Sequence, residues 1–248
     1  MRLSHNRSVT LADHLAEAPF TLCMSSGFFG FYAHAGMLAA LIETGLFPSR
    51  VVGSSAGALV AGCHASGLST AEIKDLFFGL RRGDFWDPGL GFGLLSGKKM
   101  DALLRRTLPI QVIEDLNTPF ACSAYNIREK RTDVIDKGDL ALALRASAAL
   151  PFLFQPVRIG TEDYLDGGIA DRPAFAALAD DEKTLYHHLD SRAPYRIGGR
   201  AEPSTPRTVT TLNLGLLPRL GPFRLSEGRA AWSTARERTL RRLDSPLD

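Results

Sequence analysis

Two short apolar runs, each followed at once by small residues and then by a helical pattern, constrain this chain more than any other feature. Phe20 to Met24 reads as a buried strand, Ser25 to Gly30 as a small-residue loop, and Phe31 to Thr44 as a helix that Gly45 stops. Val51 and Val52 end a second strand, and Ser54 to Ala65 reads as a helix rich in small residues. Strand, loop, helix, strand, turn, helix favours a parallel sheet with right-handed crossovers. The expected class is α/β, a three-layer fold with a central, mainly parallel sheet and helices on both faces.

The remaining pattern extends this layout. Thr70 to Leu80, Lys98 to Thr107 and Asp139 to Ala149 read as helices, the last ended by Pro151. Arg82 to Gly97 is rich in Gly and aromatics and reads as a long loop, a kind of segment that is often functional. Phe120 to Ile127 and Thr132 to Ile135 suggest a hairpin around Arg128 to Arg131. Phe152 to Ile159 reads as extended, and Tyr164 and Leu165 lead into Asp166-Gly167-Gly168. Leu185 to Leu189 and Val209 to Leu214 are further strand candidates, with a mobile loop expected between them over Asp190 to Arg207. Leu225 to Leu243 reads as a last helix.

Composition removes several classes of function. At 248 residues with 45% hydrophobic and 23% charged residues, the chain is an ordinary globule. A formal charge of +2 gives no global pull toward nucleic acid, and none is expected as a partner. Cys23, Cys63 and Cys122 are odd in number and widely spaced, which argues against a disulfide framework and against a zinc site. Buried thiols, and neither metal nor cofactor, are expected. Pro19 to Ile42 is long enough to span a bilayer, but Ser25, Ser26, Gly27 and Gly30 interrupt it as a strand, loop and helix would. Arg2, Arg7, Asp13 and Glu17 leave the start without the apolar core of a secretory signal, so a cytoplasmic location is expected. Gly93 to Lys99 imitates a P-loop with the wrong spacing, and Ser25 breaks the dinucleotide pattern G-x-G-x-x-G.

The chemistry concentrates in three places. Gly53-Ser54-Ser55-Ala56-Gly57 fits G-x-S-x-G where a strand turns sharply into a helix, with the glycines keeping the flanks of Ser55 clear. The start of that helix places free N–H groups near any anion that forms there. A serine needs a base to become a nucleophile. Asp166, ahead of Gly167 and Gly168, is the preferred candidate, since the glycines let its carboxylate approach another loop. His187 and His188 would complete a Ser-His-Asp order, but they fall in an apparent strand, and few strands precede Ser55. The third piece, Ser25 to Gly30, sits at a strand–helix junction whose N–H groups can point at an oxyanion.

In this order and spacing the three pieces resemble the patatin-like phospholipase family. The resemblance covers roughly residues 19 to 180 and includes Arg145-Ala146-Ser147-Ala148-Ala149-Leu150-Pro151, a block that ends a helix. It implies a patatin-like three-layer fold, with residues 1 to 248 as one domain and the strands and helix of 181 to 248 completing it. It implies a lipid acyl hydrolase, of phospholipase A or esterase type, with a Ser55–Asp166 dyad and no histidine. Ser26, Gly27 and Phe28, with Ala56, fall at the oxyanion hole. Gly30, Gly53, Gly57, Gly167, Gly168, Arg145 and Pro151 fall at structural motif positions. The chain departs from the family's first loop, Gly-Gly-Gly-x-Arg/Lys-Gly, in having Ser25, Ser26 and Phe29, and its Gly27-Phe28-Phe29-Gly30 is similar to the triglyceride-lipase branch of the family. Two alternatives stand beside this reading: a catalytically weak lipid-binding or regulatory protein on the same fold, and an esterase using His187 or His188.

A lipid or membrane-surface ester as substrate implies transient peripheral contact with a membrane. Phe85, Trp86, Leu90, Phe92, Leu94 and Leu95 offer apolar groups for it. In Leu225 to Leu243, Leu225, Trp232, Ala235 and Leu243 share a face flanked by Arg229 and Arg236. Such a helix either lies in an anionic interface or docks inward, and inward packing is its ordinary use.

Overall fold

The computed structural model describes residues 8–190, 205–218 and 220–247. Eight strands form one sheet in the order β5-β6-β3-β2-β1-β7-β8, with β4 paired to β3. β1 (Thr21–Met24), β2 (Arg50–Ser54), β3 (Phe120–Asn126), β7 (Thr184–His188) and β8 (Val209–Asn213) run parallel. β4 (Arg131–Ile135) returns antiparallel along β3 in the expected hairpin. β5 (Val157–Ile159) and β6 (Glu162–Asp166) form a second hairpin, so regular pairing starts five residues later than the extended reading from Phe152. Most of the expected loop over Asp190 to Arg207 lies outside the described residues.

The helices are α1 (Leu11–Ala16), α2 (Phe31–Glu43), α3 (Ala56–Ala65), α4 (Thr70–Gly79), α5 (Lys98–Thr107), α6 (Leu140–Ser147) and α7 (Gly228–Leu243). The sequence reading lacked α1, although Thr10 and Asp13 cap it reciprocally and Leu11 and Leu15 bury one face. Strand alternation sorts the core. Leu22, Met24, Val51 and Leu185 join the large cluster built with the helices. Cys23, Val52, Ala121 and Tyr186 point the other way and are covered by the segment around Ala174, Ala177 and Leu178. All three cysteines are buried and free.

Pro19 to Ile42 divides into β1, a loop and α2, and α2 is buried continuously from Phe31 to Leu41. Among the described residues no helix is long and apolar enough to cross a membrane. α7 docks inward against α2. Its buried residues Gly228, Ala231, Ala235, Thr239 and Leu243 follow helical spacing. A Cβ on Gly36 would lie 2.2 Å from the Trp232 carbonyl oxygen, and one on Gly228 would lie 2.4 Å from the Tyr32 ring. Arg236 forks onto Glu43, and Arg229 lies 4.5 Å over the Phe78 ring. Both arginines and the apolar stripe therefore serve packing.

The register of β3 positions the site. β4 takes one edge of β3. β2 and β6 share the other, β2 against Phe120–Ser123 and β6 against Ala124–Asn126. β6 runs antiparallel to β3, so β2 and β6 meet with their C-terminal ends facing. Ser54 is registered with Ser123, and Asp166 with Ala124. The residue that follows Ser54 is thereby delivered to Asp166 across 111 residues of chain.

Candidate active site

Ser55 lies between β2 and α3 with φ 53° and ψ −116°. That backbone is sterically unfavourable for a residue with a Cβ and costs on the order of 1–3 kcal/mol. Its surroundings hold it there. The Ser55 N–H donates to Ser147 Oγ at 2.9 Å, and Ser147 Oγ donates to the Ser123 carbonyl at 2.7 Å. The flanking glycines are required by close approach: a Cβ on Gly57 would lie 2.1 Å from the Met24 carbonyl oxygen, and one on Gly53 would lie 2.4 Å from the Ala58 nitrogen. Ser147 was not singled out by the sequence reading. Its signal was a polar residue on the otherwise apolar buried face of α6. Ser147→Ala leaves the Ser55 N–H and the Ser123 carbonyl unpaired, at about 1–3 kcal/mol each. We expect urea denaturation to show a loss of about 2–4 kcal/mol for this variant.

Asp166 ends β6 and is fully buried. Its backbone N–H donates to the Ala149 carbonyl at 2.9 Å. The helix-ending block before Pro151 thus fixes its position. Arg145, in the same block, ties α6 to α5 through Asp101 at 3.0 Å. Asp166 Oδ2 accepts from Ser55 Oγ at 2.6 Å, and Oδ1 accepts from the Gly168 N–H at 2.8 Å. Burial raises its pKa from 3.8 to about 6, against the lowering effect of those two donors. A Cβ on Gly167 would lie 2.1 Å from the Ser123 carbonyl oxygen, and one on Gly168 would lie 2.3 Å from Ser26 Oγ, so the turn after Asp166 admits no side chain. Behind it, Ser123 Oγ donates to Asp171 Oδ2 at 2.5 Å, and Asp171 also accepts from the Phe175 and Ala176 N–H groups. Asp171 thereby joins the turn to β3, a role that the sequence reading did not assign.

The loop after β1 lies beside this pair. Gly27, Phe28, Ser55 and Ala56 line one cavity, and among the described residues the N–H groups of Gly27, Phe28 and Ala56 make no hydrogen bond. Ser26 departs from expectation. Its N–H donates to the Arg172 carbonyl at 2.7 Å, so it anchors the loop and is not available to an oxyanion. Ser25 needs no glycine-like backbone, since the positive φ of the loop falls at Phe29, 54°. Gly30 is packed against Leu189, whose Cδ1 lies 2.3 Å from where a Cβ would stand. The cavity holds about 120 Å³ and is walled mainly by apolar side chains such as Leu59, Phe77, Leu104 and Leu153. That is near the size of a ~150 Å³ apolar cavity that accepts benzene.

His187 and His188 are engaged away from Ser55. His187 Nδ1 lies 2.9 Å from His34 Nδ1, and His188 Nδ1 lies 3.0 Å from the Tyr186 hydroxyl. Burial lowers the His187 pKa well below its usual value, with His34 and His188 adding to the effect. The carboxylate on the Ser55 hydroxyl is that of Asp166. Among the described residues, no three His, Cys, Asp or Glu side chains converge as metal ligands would.

A family model described as patatin-like phospholipase matches residues 22–178, more than half of the chain and every residue of the site above. The chain belongs to the patatin-like phospholipase family. An NTE family protein of Mycobacterium bovis is 31% identical over 170 residues, 64% of this chain and 45% of that one. A lysophospholipase, nte1, of Emericella nidulans is 28% identical over 178 residues, 68% of this chain and 12% of that one. The patatin-like chain thus spans less than half the length of these relatives. In three dimensions it resembles the crystal structure of VipD from Legionella pneumophila, with a TM-score of 0.64 and 17% identity over 91% of this chain and 67% of that one. The patatin-like fold therefore extends past the matched segment, into β7 and β8.

Proposed function

We propose that this patatin-like protein is a lipid acyl hydrolase that works through an acyl-serine intermediate. The observation that carries the reading is the 2.6 Å hydrogen bond from Ser55 to Asp166 at an apolar cavity. Asp166 accepts the hydroxyl proton as Ser55 Oγ attacks the ester carbonyl. The N–H groups of Gly27, Phe28 and Ala56 receive the charge on the carbonyl oxygen, and the start of α3 adds its dipole. Asp166, now protonated, gives its proton to the leaving alkoxide. In the second half-reaction it takes a proton from water, which attacks the acyl-serine, and returns that proton to Ser55 Oγ as the fatty acid leaves. The mechanism needs neither metal nor cofactor. Family membership and the lysophospholipase relative support a lipid ester as substrate.

Covalent labelling by a fluorophosphonate, read by intact mass, tests this. One adduct on the wild type that is missing from Ser55→Ala is the expected result. A folded wild type that takes no label, with and without anionic vesicles, leaves the binding-protein reading in its place.

The proposed route to lipid runs over the loop before α5. Leu90 is 103% exposed, Phe92 94% and Phe152 82%. Backbone bonds from Leu94 to Phe152 and from Leu95 to Leu153 join the two segments, and Leu153 and Phe154 continue into the cavity wall. Phe85 and Leu95, expected from sequence to offer apolar groups to a membrane, are buried at 6% and 0%, Phe85 lining the cavity. Inserting one such side chain into an apolar phase is worth about 1.5–3 kcal/mol. The double variant Leu90→Ser, Phe92→Ser should lose at least about a hundredfold in vesicle affinity by sedimentation. Retention equal to wild type would remove this surface from the proposal.

A further inference from the structure

Ser25, the first residue after β1, has all its polar groups engaged. Its N–H donates to the His187 carbonyl at 3.2 Å, and its hydroxyl accepts from the Leu189 N–H at 2.9 Å. Its carbonyl lies 2.8 Å from His34 Nε2. His34 stands in the first turns of α2, and His187 on β7 beside Met24. Both imidazoles are fully buried, with ring planes at 90° and centroids 4.7 Å apart.

The proton positions follow from these contacts. A carbonyl only accepts, so His34 Nε2 carries a hydrogen. A neutral His34 then has a bare Nδ1, and the 2.9 Å contact requires a hydrogen on His187 Nδ1. His187 Nε2 is left as a bare nitrogen, and that buried atom has no hydrogen-bond partner among the described residues. Burial holds both rings neutral, with the pKa of His34 lowered to about 4. Replacing both rings by apolar groups of similar shape would remove the unpaired nitrogen but would leave the buried Ser25 carbonyl without its donor.

What the pair does hold is one end of a short loop. From the fixed Ser25 carbonyl, the chain passes through Ser26, anchored on Arg172, to the unengaged N–H groups of Gly27 and Phe28. We infer that His34 and His187 are positioning residues, a proton-ordered neutral pair that clamps the Ser25 carbonyl and so aims the Gly27 and Phe28 N–H groups at the oxyanion. The inference rests on the acyl-serine reading. Neither ring touches substrate. Their effect should therefore appear in the transition state and not in ground-state binding.

The test uses a soluble short-chain ester, p-nitrophenyl butyrate, with wild type, His34→Leu and His34→Gln. In His34→Leu, kcat should fall about 10- to 100-fold, up to the cost of a ~1 Å misplacement and below the ~100- to 1000-fold of a donor removed outright, with KM within about twofold. The rate of fluorophosphonate labelling should fall by the same factor. His34→Gln, whose amide N–H reaches to the position of Nε2, should recover most of the loss. A folded His34→Leu labelled at the wild-type rate, or changed in KM alone, overturns the inference. A second measurement needs no variant. Nitrogen-15 spectra of the wild-type histidines at pH 7 should show His34 protonated at Nε2 and His187 at Nδ1. The opposite tautomers, or an imidazolium at either ring, overturn it as well. A wild type that takes no label defeats the acyl-serine reading instead, and the tautomers then decide on the pair alone.

Discussion

Ser55→Ala should lose about a millionfold in turnover of a lipid ester, down to the rate that binding and the oxyanion donors sustain by themselves. Asp166→Asn should lose about ten-thousandfold, because an amide at the same place keeps the geometry but takes no proton. The two effects should not add, since each residue acts only through the other. The double variant is thus expected at the level of Ser55→Ala. The fold should survive both changes. Removing the hydroxyl leaves the backbone bond from Ser55 to Ser147 in place, and asparagine can still accept from the Gly168 N–H. Steady-state kinetics on folded variants, judged by circular dichroism, would check this. Substantial turnover in folded Asp166→Asn would remove the dyad. A comparable loss of both turnover and Ser55 labelling in folded His188→Ala would bring back a histidine mechanism.

Activity should also rise with pH along a limb centred near 6, and stability should fall over the same range. The common cause is the buried Asp166 carboxyl, whose pKa rises from 3.8 to about 6 on folding. Below about 6 the folded protein holds that proton, and Ser55 has no base. Between 3.8 and 6 the folded state binds more protons than the unfolded chain, so stability decreases as pH increases. The full difference is about 3 kcal/mol, present below 3.8 and lost once pH has passed 6. Asp166→Asn carries no such charge. Urea denaturation should therefore show the variant gaining on the wild type by about 2.4 kcal/mol between pH 4 and pH 7. A constant difference across that range, or a kcat/KM limb centred near 4, would show that Asp166 is not held as the buried group described. The ionised carboxylate that the proposed chemistry needs is thus the form that burial disfavours.

Much of this molecule could be read from its residues. The runs before Ser25 and Ser54 have the length and apolar content of buried parallel strands, and small residues leave only a turn between each strand and its helix. Local sterics settle those elements, so β1, α2, β2 and α3 follow from the sequence to within a few residues. Glycine spacing marks Ser55 and Asp166 because a Cβ at Gly57 or Gly167 would collide with a carbonyl from another strand. Three features were not legible. The capped turn of α1 is six residues long and carries a short apolar signal. The aromatic loop looked uniformly exposed, yet the fold buries Phe85 and Leu95 and leaves Leu90 and Phe92 outside. Ser26 looked like an oxyanion donor until its N–H met the Arg172 carbonyl.

By itself, then, the sequence determined the α/β class, the strand-to-helix turn at Ser55 and the aspartate, Asp166, that the fold brings to its hydroxyl. Those depend on local periodicity and backbone sterics, which a residue carries in its own side chain and its neighbours. Only the tertiary structure decided that β2 and β6 share one edge of β3, that Ser147 and the Ala149 carbonyl hold Ser55 and Asp166 in place, and that a pair of buried histidines stands behind Ser25 and not beside Ser55. Those contacts join residues far apart in the chain. They arise from strand register and burial, and neither quantity exists until the sheet has formed.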